Sequence, residues 1–301
     1  MTRHLLDVDD LTGTELVEVL DRCCAPTPEP VLAGQGAALL FEKPSNRTRH
    51  STEMAVVGLG GHPIYVRPDE VGIDTRETAE DISRTLSCFH GAIAARVFDH
   101  TVLERMAAVA TIPVVNLLSD RSHPLQAIAD VLTMRSEFGD LAGRVVAWVG
   151  DYSNVARSLG LAASMLDMEV RFACPTGYGP PAADLARFTE LGGTVDAGID
   201  PAALVAGAHA VATDAWYSMG QEAEKTLRQP IFEAYRVDDE LMARAADDAI
   251  FLHCLPAHRG DEVTDAVLDG HQSRVWSEAA NRLPAARGAI EWLVGASGRP
   301  R

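Results

Sequence analysis

Cysteine is scarce in this 301-residue sequence, and the common metal-binding motifs are missing from it. The five cysteines are odd in number and irregularly spaced, and there is neither a CxxC pair nor an HExxH motif. Such a set does not form the disulfide framework typical of small secreted proteins. We therefore expect reduced thiols in a cytoplasmic protein, and neither a metal ion nor any other cofactor.

Positive charge is also in short supply. The sequence has 26 Lys and Arg residues against 43 Asp and Glu residues, a formal net charge of −17. This balance argues against nucleic acid and anionic membranes as partners, because both need a broad cationic surface. The longest uncharged run, Met106–Ser119, is too short to span a bilayer, and the acidic N-terminus does not resemble a signal peptide. A small anionic substrate remains compatible, since a few arginines and backbone amides can bind phosphate.

Short apolar runs alternate with amphipathic stretches along almost the whole chain. This alternation predicts an α/β fold of two domains, each a parallel β-sheet flanked by helices. We expect a first domain over residues 1–137, a second over 138–276, and a C-terminal helix over 277–301 that returns to the first domain. The strands are predicted in two sets of four, at Ala37–Phe41, Pro63–Val66, Ala92–Ala95, Ile112–Leu117, Val145–Val149, Glu169–Ala173, Ala210–Thr213 and Ala249–Leu252.

Residues Ser45–Arg49 (SNRTR) follow a predicted buried strand and begin a helix. The first turn of a helix offers unpaired N–H groups and the positive end of the helix dipole. Ser45 and Thr48 add hydroxyl groups, and Arg47 adds a guanidinium that matches phosphate oxygens. The pattern is typical of an anion site without a glycine-rich loop. Taken alone, it is more typical of a Ser N-cap followed by a solvated basic face, because Ser caps are common.

Two further polar clusters follow predicted strands of the first domain. Arg96 ends one strand, and His123 and Gln126 follow the next one. Ligands of open α/β sheets bind outside the carboxyl ends of the strands. An imidazole and a primary amide at that edge suit a substrate with one carbonyl oxygen and one NH₂ group. A cap or a satisfied polar residue explains one such cluster, but three of them favour a site.

The second domain begins with a strand and a glycine, as dinucleotide-binding domains do. Its turn, Val149–Asn154 (VGDYSN), lacks GxGxxG and has Tyr152 where a pyrophosphate needs bare backbone, which argues against an oxidoreductase. Asp214 and Cys254 also follow predicted strands, where an N-cap and a small core residue are the ordinary interpretations. We favour a function for both because SMG follows Asp214 at residues 218–220.

The motifs SNRTR, HPLQ, DAWYSMG and HCLP, taken in order, resemble the ornithine carbamoyltransferases. The family pattern is STRTR, HPxQ, DxWxSMG and HCLP, and it ends in an ENRL segment that corresponds to Ala280–Leu283 here. The resemblance extends from about residue 3 to residue 295. STRTR and HPxQ occur throughout the wider carbamoyltransferase superfamily, whereas SMG with HCLP is the feature that indicates ornithine.

The resemblance implies a role for each matching residue. Carbamoyl phosphate would be bound by Ser45, Asn46, Arg47, Thr48, Arg96, His123, Gln126, Cys254, Leu255 and Arg282. Ornithine would be bound by Asn154, Asp214, Ser218, Met219 and Cys254. The residues that act on the reacting groups would be Arg47, Arg96, His123, Cys254 and Arg282. The resemblance also implies a homotrimer in which a loop of one subunit contacts carbamoyl phosphate in the next.

The chain departs from the family pattern at three positions. Asn46 replaces Thr, Ala280 replaces Glu, and Gly72 replaces a Gln of the loop that reaches the neighbouring subunit. Arg76 is the candidate to take over that contact, because it is the only cation between Val71 and Thr78. The departures leave a non-catalytic anion-binding paralogue as an alternative. N-acyl-ornithine, putrescine and lysine are alternative acceptors, and the physiological direction of the reaction stays open.

Overall fold

The computed structural model describes residues 2–217 and 225–297. Contacts between Cα atoms divide the chain into two compact units, which we call unit 1 (residues 1–129 and 281–301) and unit 2 (residues 130–280). The domain boundaries expected after residues 137 and 276 stay predictions. Within the described residues, no helix has the length and apolar character needed to cross a membrane.

Unit 1 contains a parallel four-stranded sheet in the order β2-β1-β3-β4, with strands β1 (Gly36–Phe41), β2 (His62–Val66), β3 (His90–Arg96) and β4 (Val114–Leu118). The helices that begin in this unit are α1 (Gly13–Cys24), α2 (Asn46–Gly58), α3 (Pro68–Val71), α4 (Ala79–Ser87), α5 (His100–Val109) and α6 (Pro124–Phe138). Strands β1 and β3 are buried almost throughout, which explains their continuous apolar sequences.

Unit 2 contains a parallel five-stranded sheet in the order β7-β6-β5-β8-β9, and its elements follow one another along the chain. They are β5 (Val145–Val149), α7 (Asn154–Ser164), β6 (Glu169–Ala173), α8 (Ala182–Glu190), β7 (Thr194–Gly198), α9 (Pro201–Val205), β8 (Ala210–Thr213), α10 (Lys225–Phe232), α11 (Asp239–Met242), β9 (Ile250–His253) and α12 (Asp265–Leu268). The two-domain parallel α/β fold predicted from the sequence is confirmed.

The prediction of two sets of four strands is wrong, because it omits β7. This strand reads TVDAG, lies at the edge of the sheet and exposes most of its residues. An exposed edge strand needs neither an apolar run nor a regular alternation, and Asp and Gly are both depleted in strands. The pattern that reveals buried strands is therefore absent from this segment.

The C-terminal helix α13 (Val275–Ala296) returns to unit 1, as predicted. The indole Nε1 of Trp292 donates to Glu18 Oε2 at 2.8 Å. The guanidinium of Arg287 donates to the carbonyl oxygens of Cys23 and Ala25 at 2.9 and 3.1 Å. The bonds of Arg287 join the helix to the end of α1, where the last carbonyl groups of a helix need donors, and the bond of Trp292 joins it to the middle of α1.

Gly288 is the point of closest approach between α13 and α1. A Cβ at Gly288 would lie 2.9 Å from both Cys23 N and Val19 O. Gly288→Ala should therefore lower the free energy of unfolding by about 1–3 kcal/mol, as overpacking does. Gly295→Ala on the same helix is the control, because a Cβ there meets no atom of the described residues within 4 Å. It should leave stability unchanged or raise it by up to about 1 kcal/mol. Thermal unfolding of both variants checks this, and equal melting temperatures would refute the close contact.

Candidate active site

The first turn of α2 presents the residues of the SNRTR motif. Ser45 is the N-cap, and its hydroxyl accepts a hydrogen bond from the N–H of Thr48 at 3.4 Å. The helix can begin here because strand β1 ends at Phe41 and the intervening loop contains Pro44. Thr48 points inward and is only 2% exposed, whereas Asn46 is exposed. The turn therefore combines the positive end of a helix dipole with a buried hydroxyl group.

Arg96 reaches the same hydroxyl from the end of β3. Its side chain is buried, and Nη1 lies 3.5 Å from Thr48 Oγ1. The neighbouring residue Glu42 stabilises this sheet edge, since its N–H donates to Arg96 O at 2.8 Å and its carboxylate accepts from Phe98 N at 2.8 Å. Two segments that follow adjacent parallel strands are therefore joined, as the sequence predicts for the carboxyl edge of the sheet.

Arg282 connects the three polar clusters of unit 1. Its Nη1 donates to Gln126 Oε1 at 2.5 Å, and its Nη2 donates to Thr48 Oγ1 at 3.0 Å. The same Nη2 lies 3.4 Å from His123 Nε2. All four side chains are at least 95% buried. The structure thus brings together Thr48, Arg96, His123, Gln126 and Arg282, although residue 282 is far from the others in sequence. We call this set the unit 1 cluster.

The unit 1 cluster is positively charged but holds an uncharged imidazole. Burial lowers the pKa of His123 well below its usual range, and the guanidinium groups of Arg282 and Arg96 lower it further. The imidazole is therefore neutral at pH 7, while both arginines keep their charge. The cluster thus offers two buried guanidinium groups beside hydroxyl, amide and imidazole groups, which are the kinds of donor that bind phosphate and carbonyl oxygens.

Asp214 and Cys254 form the core of the candidate site in unit 2. Cys254 Sγ donates to Asp214 Oδ1 at 3.2 Å, and the same oxygen accepts from Ala215 N at 2.8 Å. Burial raises the pKa of Asp214, and burial together with Asp214 raises the pKa of the Cys254 thiol well above its usual range. The thiol is therefore protonated at neutral pH and is a poor nucleophile.

His253 and Glu262 hold the loop that follows Cys254, although the sequence analysis gave neither a role. His253 Nε2 lies 3.1 Å from Glu262 Oε1, and both side chains are fully buried. His253 Nδ1 accepts from the N–H of Leu255 at 2.9 Å, and Glu262 also accepts from His258 N. Leu255 has a left-handed φ of 60° and precedes a cis proline. The His of the HCLP motif, His253, was the sequence feature that could have indicated that a buried side chain holds the loop at Leu255.

Asp214, His253 and Cys254 offer three potential metal ligands within 4.8 Å of one another, among the residues that the structure describes. Both ring nitrogens of His253 already take part in hydrogen bonds with neighbouring groups of the protein. Metal ligation by His253 needs a ring nitrogen that can point at the metal. The cluster therefore fits a hydrogen-bonded substrate site better than a metal site, and the expectation of no metal stays a prediction.

The other residues predicted for the site do not belong to the two clusters described above. Asn154 is the first residue of α7, and Arg47 lies in the first turn of α2. Ser218 and Met219 lie outside the described residues. In the loop with the Gln-to-Gly departure, Gly72 ends α3 with a left-handed φ of 58°. The guanidinium of Arg76 donates to the carbonyl oxygen of Glu70 at 3.2 Å from an exposed position. The roles implied for all of these residues stay predictions.

Comparison with known proteins defines the class to which this site belongs. Residues 3–136 match the model of the aspartate/ornithine carbamoyltransferase carbamoyl-P binding domain. Residues 142–293 match the model of the Asp/Orn binding domain of the same family. The chain therefore belongs to the aspartate/ornithine carbamoyltransferase family, and the resemblance indicated by its motifs is confirmed.

Similar proteins within this family are named ornithine carbamoyltransferases. The one from Acidothermus cellulolyticus is 45% identical, with 99% of this chain and 98% of that protein covered. The one from Thermus thermophilus is 47% identical over 98% of this chain and 97% of that protein. The structure of ornithine carbamoyltransferase from Pyrococcus furiosus has a TM-score of 0.94 and 40% identity, and the match covers 99% of this chain and 98% of that one.

Proposed function

We propose that this chain transfers the carbamoyl group of carbamoyl phosphate to the δ-amine of L-ornithine, giving L-citrulline and phosphate. The observation that carries the proposal is the unit 1 cluster, in which Arg282 contacts Thr48, Gln126 and His123. Its guanidinium, amide and imidazole groups suit a small substrate with a phosphate, a carbonyl oxygen and an NH₂ group. Family membership and the names of the similar proteins support the same reaction.

In this proposal, the first turn of α2 binds the phosphate group. The N–H groups near Asn46, the hydroxyls of Ser45 and Thr48 and the guanidinium of Arg47 provide the donors. Arg282 donates to Thr48 and is therefore within reach of the same anion. Arg96 and His123 act on the carbonyl oxygen, where negative charge develops during acyl transfer. Gln126 binds the amide nitrogen of the carbamoyl group.

The reaction needs no covalent intermediate. The amine nitrogen attacks the carbonyl carbon, a C–N bond forms, the C–O bond to phosphate breaks, and phosphate leaves with the bonding electrons. The nitrogen attacks as the free base and loses one proton in the transfer, which the departing phosphate takes up. The protonated thiol of Cys254, with its raised pKa, supports direct attack by the amine rather than acylation of the protein. Much of the catalysis then comes from alignment of the two substrates.

We further propose that unit 2 binds ornithine through Asn154, Asp214 and Cys254, with Ser218 and Met219 from outside the described residues. Asp214 and Cys254 form a hydrogen-bonded pair that offers both a carboxyl group and a thiol to an amine. His253 and Glu262 keep the loop after Cys254 in place. The HCLP and SMG motifs favour ornithine over N-acyl-ornithine, putrescine or lysine as the acceptor.

We also propose that the chain is a cytoplasmic homotrimer. Apolar side chains support an interface in unit 1, because Met54 and Val57 on α2 and Ile64 on the edge strand β2 are 53%, 50% and 41% exposed. An exposed edge strand with neighbouring apolar side chains is a surface that proteins usually cover. A closed ring with a heterologous interface can bring a loop of one subunit to the site of the next. Arg76 is our candidate for that contact.

The proposed function predicts that the purified protein forms citrulline from carbamoyl phosphate and ornithine without added metal or nucleotide. A panel of amines that includes N-acetyl-ornithine, putrescine, lysine and aspartate tests the acceptor. Ornithine should give the highest kcat/KM. Activity with aspartate alone, or no turnover with any amine, would overturn the proposal.

A matched pair of substitutions on α2 tests the site for the first substrate. Thr48→Val removes the oxygen that Arg282 and Arg96 contact, and it should lower kcat/KM for carbamoyl phosphate by about tenfold or more. Thr52 lies one turn further along and is buried, but its hydroxyl has no hydrogen-bond partner within the described ranges, 2–217 and 225–297. Thr52→Val should therefore leave kcat/KM within about twofold. Equal effects of the two substitutions would show that the Thr48 hydroxyl has no special role.

Complementation between inactive subunits tests the trimer and the contact of Arg76. Arg47→Ala should lower the rate by about a hundredfold or more, as loss of one preorganised donor does. If Arg76 acts in the neighbouring subunit, Arg76→Ala is also impaired, and mixed trimers of the two variants regain activity at sites that contain both native residues. Full activity of Arg76→Ala alone, or no recovery after mixing, would contradict the contact.

A further inference from the structure

The residues just before His123 form a tight turn, of which Ser119 and Ser122 are buried while Asp120 and Arg121 are exposed. The N–H of Ser119 donates to Ser122 O at 2.9 Å, and the N–H of Ser122 donates to Ser119 Oγ at 3.2 Å. Asn116, the last but two residue of β4, closes the turn by donating to Ser122 O at 3.2 Å. Since His123 follows Ser122 directly, the geometry of this turn sets the direction in which its imidazole leaves the backbone.

The N-terminal segment of the chain lies beside this turn. Leu5 continues the sheet next to β4, because its N–H donates to Val114 O at 2.9 Å and its carbonyl accepts from Asn116 N at 2.8 Å. The side chain of Asn116 also donates to Leu6 O at 2.8 Å. The N-terminal segment is therefore held against β4 by hydrogen bonds to the strand's backbone and to the side chain of Asn116.

Asp7 links this segment to the turn through a buried hydrogen bond to Ser122. Its Oδ1 accepts from Ser122 Oγ at 2.8 Å and from the N–H of Val8 at 2.9 Å. Asp7 is 6% exposed and Ser122 is fully buried. A hydrogen bond between a buried hydroxyl and a carboxyl group is among the stronger ones available to a protein. It holds Ser122 in one rotamer and thereby restrains the backbone to which His123 belongs.

Charged groups near Asp7 belong to α5, to the turn and to its own segment, where Asp10 Oδ2 accepts from the N–H of Asp7 at 2.9 Å. Arg121 Nε lies 3.8 Å from Asp7 Oδ2, and its Nη1 lies 3.7 Å from Glu104 on α5. His100, also on α5, lies 2.7 Å from Ser119 Oγ through its Nδ1. The turn is thus contacted by three separate parts of unit 1, namely α5, β4 and the N-terminal segment.

We infer that Asp7 is a positioning residue for carbamoyl transfer, acting through Ser122 on the orientation of His123. The inference rests on the proposed function, in which His123 acts on the carbonyl oxygen of the substrate. An oxyanion donor works only when its position is fixed before the charge develops, so a misplacement of about 1 Å has a large effect on rate. In this inference the N-terminal segment affects the reaction rate indirectly, through the bond of Asp7 to Ser122.

The test uses two buried serines with hydrogen bonds of equal length. Ser122→Ala removes the bond to Asp7, and it should lower kcat by about tenfold with a smaller effect on KM for ornithine. Ser83→Ala is the control, because Ser83 is fully buried and donates to Met106 O at 2.8 Å, away from the turn. It should keep kcat within about twofold, even where it lowers the melting temperature as much as Ser122→Ala does.

The decisive readout is a mutant cycle with His123→Ala. If Asp7 and Ser122 act through the imidazole, Ser122→Ala and Asp7→Ala each cost about tenfold in the native background but under twofold in the His123→Ala background. Asp7→Asn retains an acceptor oxygen and a residue suited to the N-cap, so it should restore kcat to within about threefold of the native value. The double variant Asp7→Ala/Ser122→Ala should be no slower than either single variant.

Two results would overturn the inference. One is an equal loss in both backgrounds, which indicates a general structural role; the other is a native kcat in Ser122→Ala. The proposed function fails separately, namely when the native protein shows no turnover, or when His123→Ala is as fast as the native protein.

Discussion

The site in unit 1 depends on one buried guanidinium group. Arg282 is 5% exposed, and it contacts a hydroxyl, an amide and an imidazole that come from α2, from α6 and from the residue before α6. A buried charge is costly unless polar groups and an opposite charge surround it. The hydroxyl, amide and imidazole provide polar groups, and in the proposed function the same guanidinium also contacts an anionic substrate. The same constraint explains why His123 is neutral, because burial disfavours its charged form and the two nearby guanidinium groups disfavour it further.

The packing of α13 positions the Arg282 guanidinium. Arg282 belongs to this C-terminal helix, so the helix must lie against unit 1 for the guanidinium to reach Thr48 at the carboxyl edge of the sheet. Trp292 and Arg287 join the helix to α1, and Gly288 allows the two helices to approach closely. At the other end of the chain, Leu5 and Asp7 fix the turn before His123. The C-terminal helix thus supports Arg282, and the N-terminal segment supports the turn before His123.

The sequence predicted the buried parts of the fold well and the long-range contacts poorly. Strands such as Val145–Val149 were predicted with correct bounds, because continuous burial imposes a continuous apolar sequence. The edge strand Thr194–Gly198 has no such requirement and was missed. Arg282 was found only through the family resemblance, since no local pattern relates it to Thr48. The bonds of His253 with Glu262 and of Asp7 with Ser122 join residues through the tertiary structure, where periodicity carries no information.

The central claim, that the Arg282 guanidinium organises the site for carbamoyl phosphate, is tested most directly by comparing two arginines of α13. Arg282→Lys keeps the charge but cannot contact Thr48, Gln126 and His123 together, whereas Arg287→Lys affects only the bonds to the end of α1. Steady-state kinetics with carbamoyl phosphate as the varied substrate should give a fall in kcat/KM of about a hundredfold for Arg282→Lys. Arg287→Lys should stay within about fivefold of the native value. A loss below fivefold for Arg282→Lys, or an equal loss for both variants, would contradict the account.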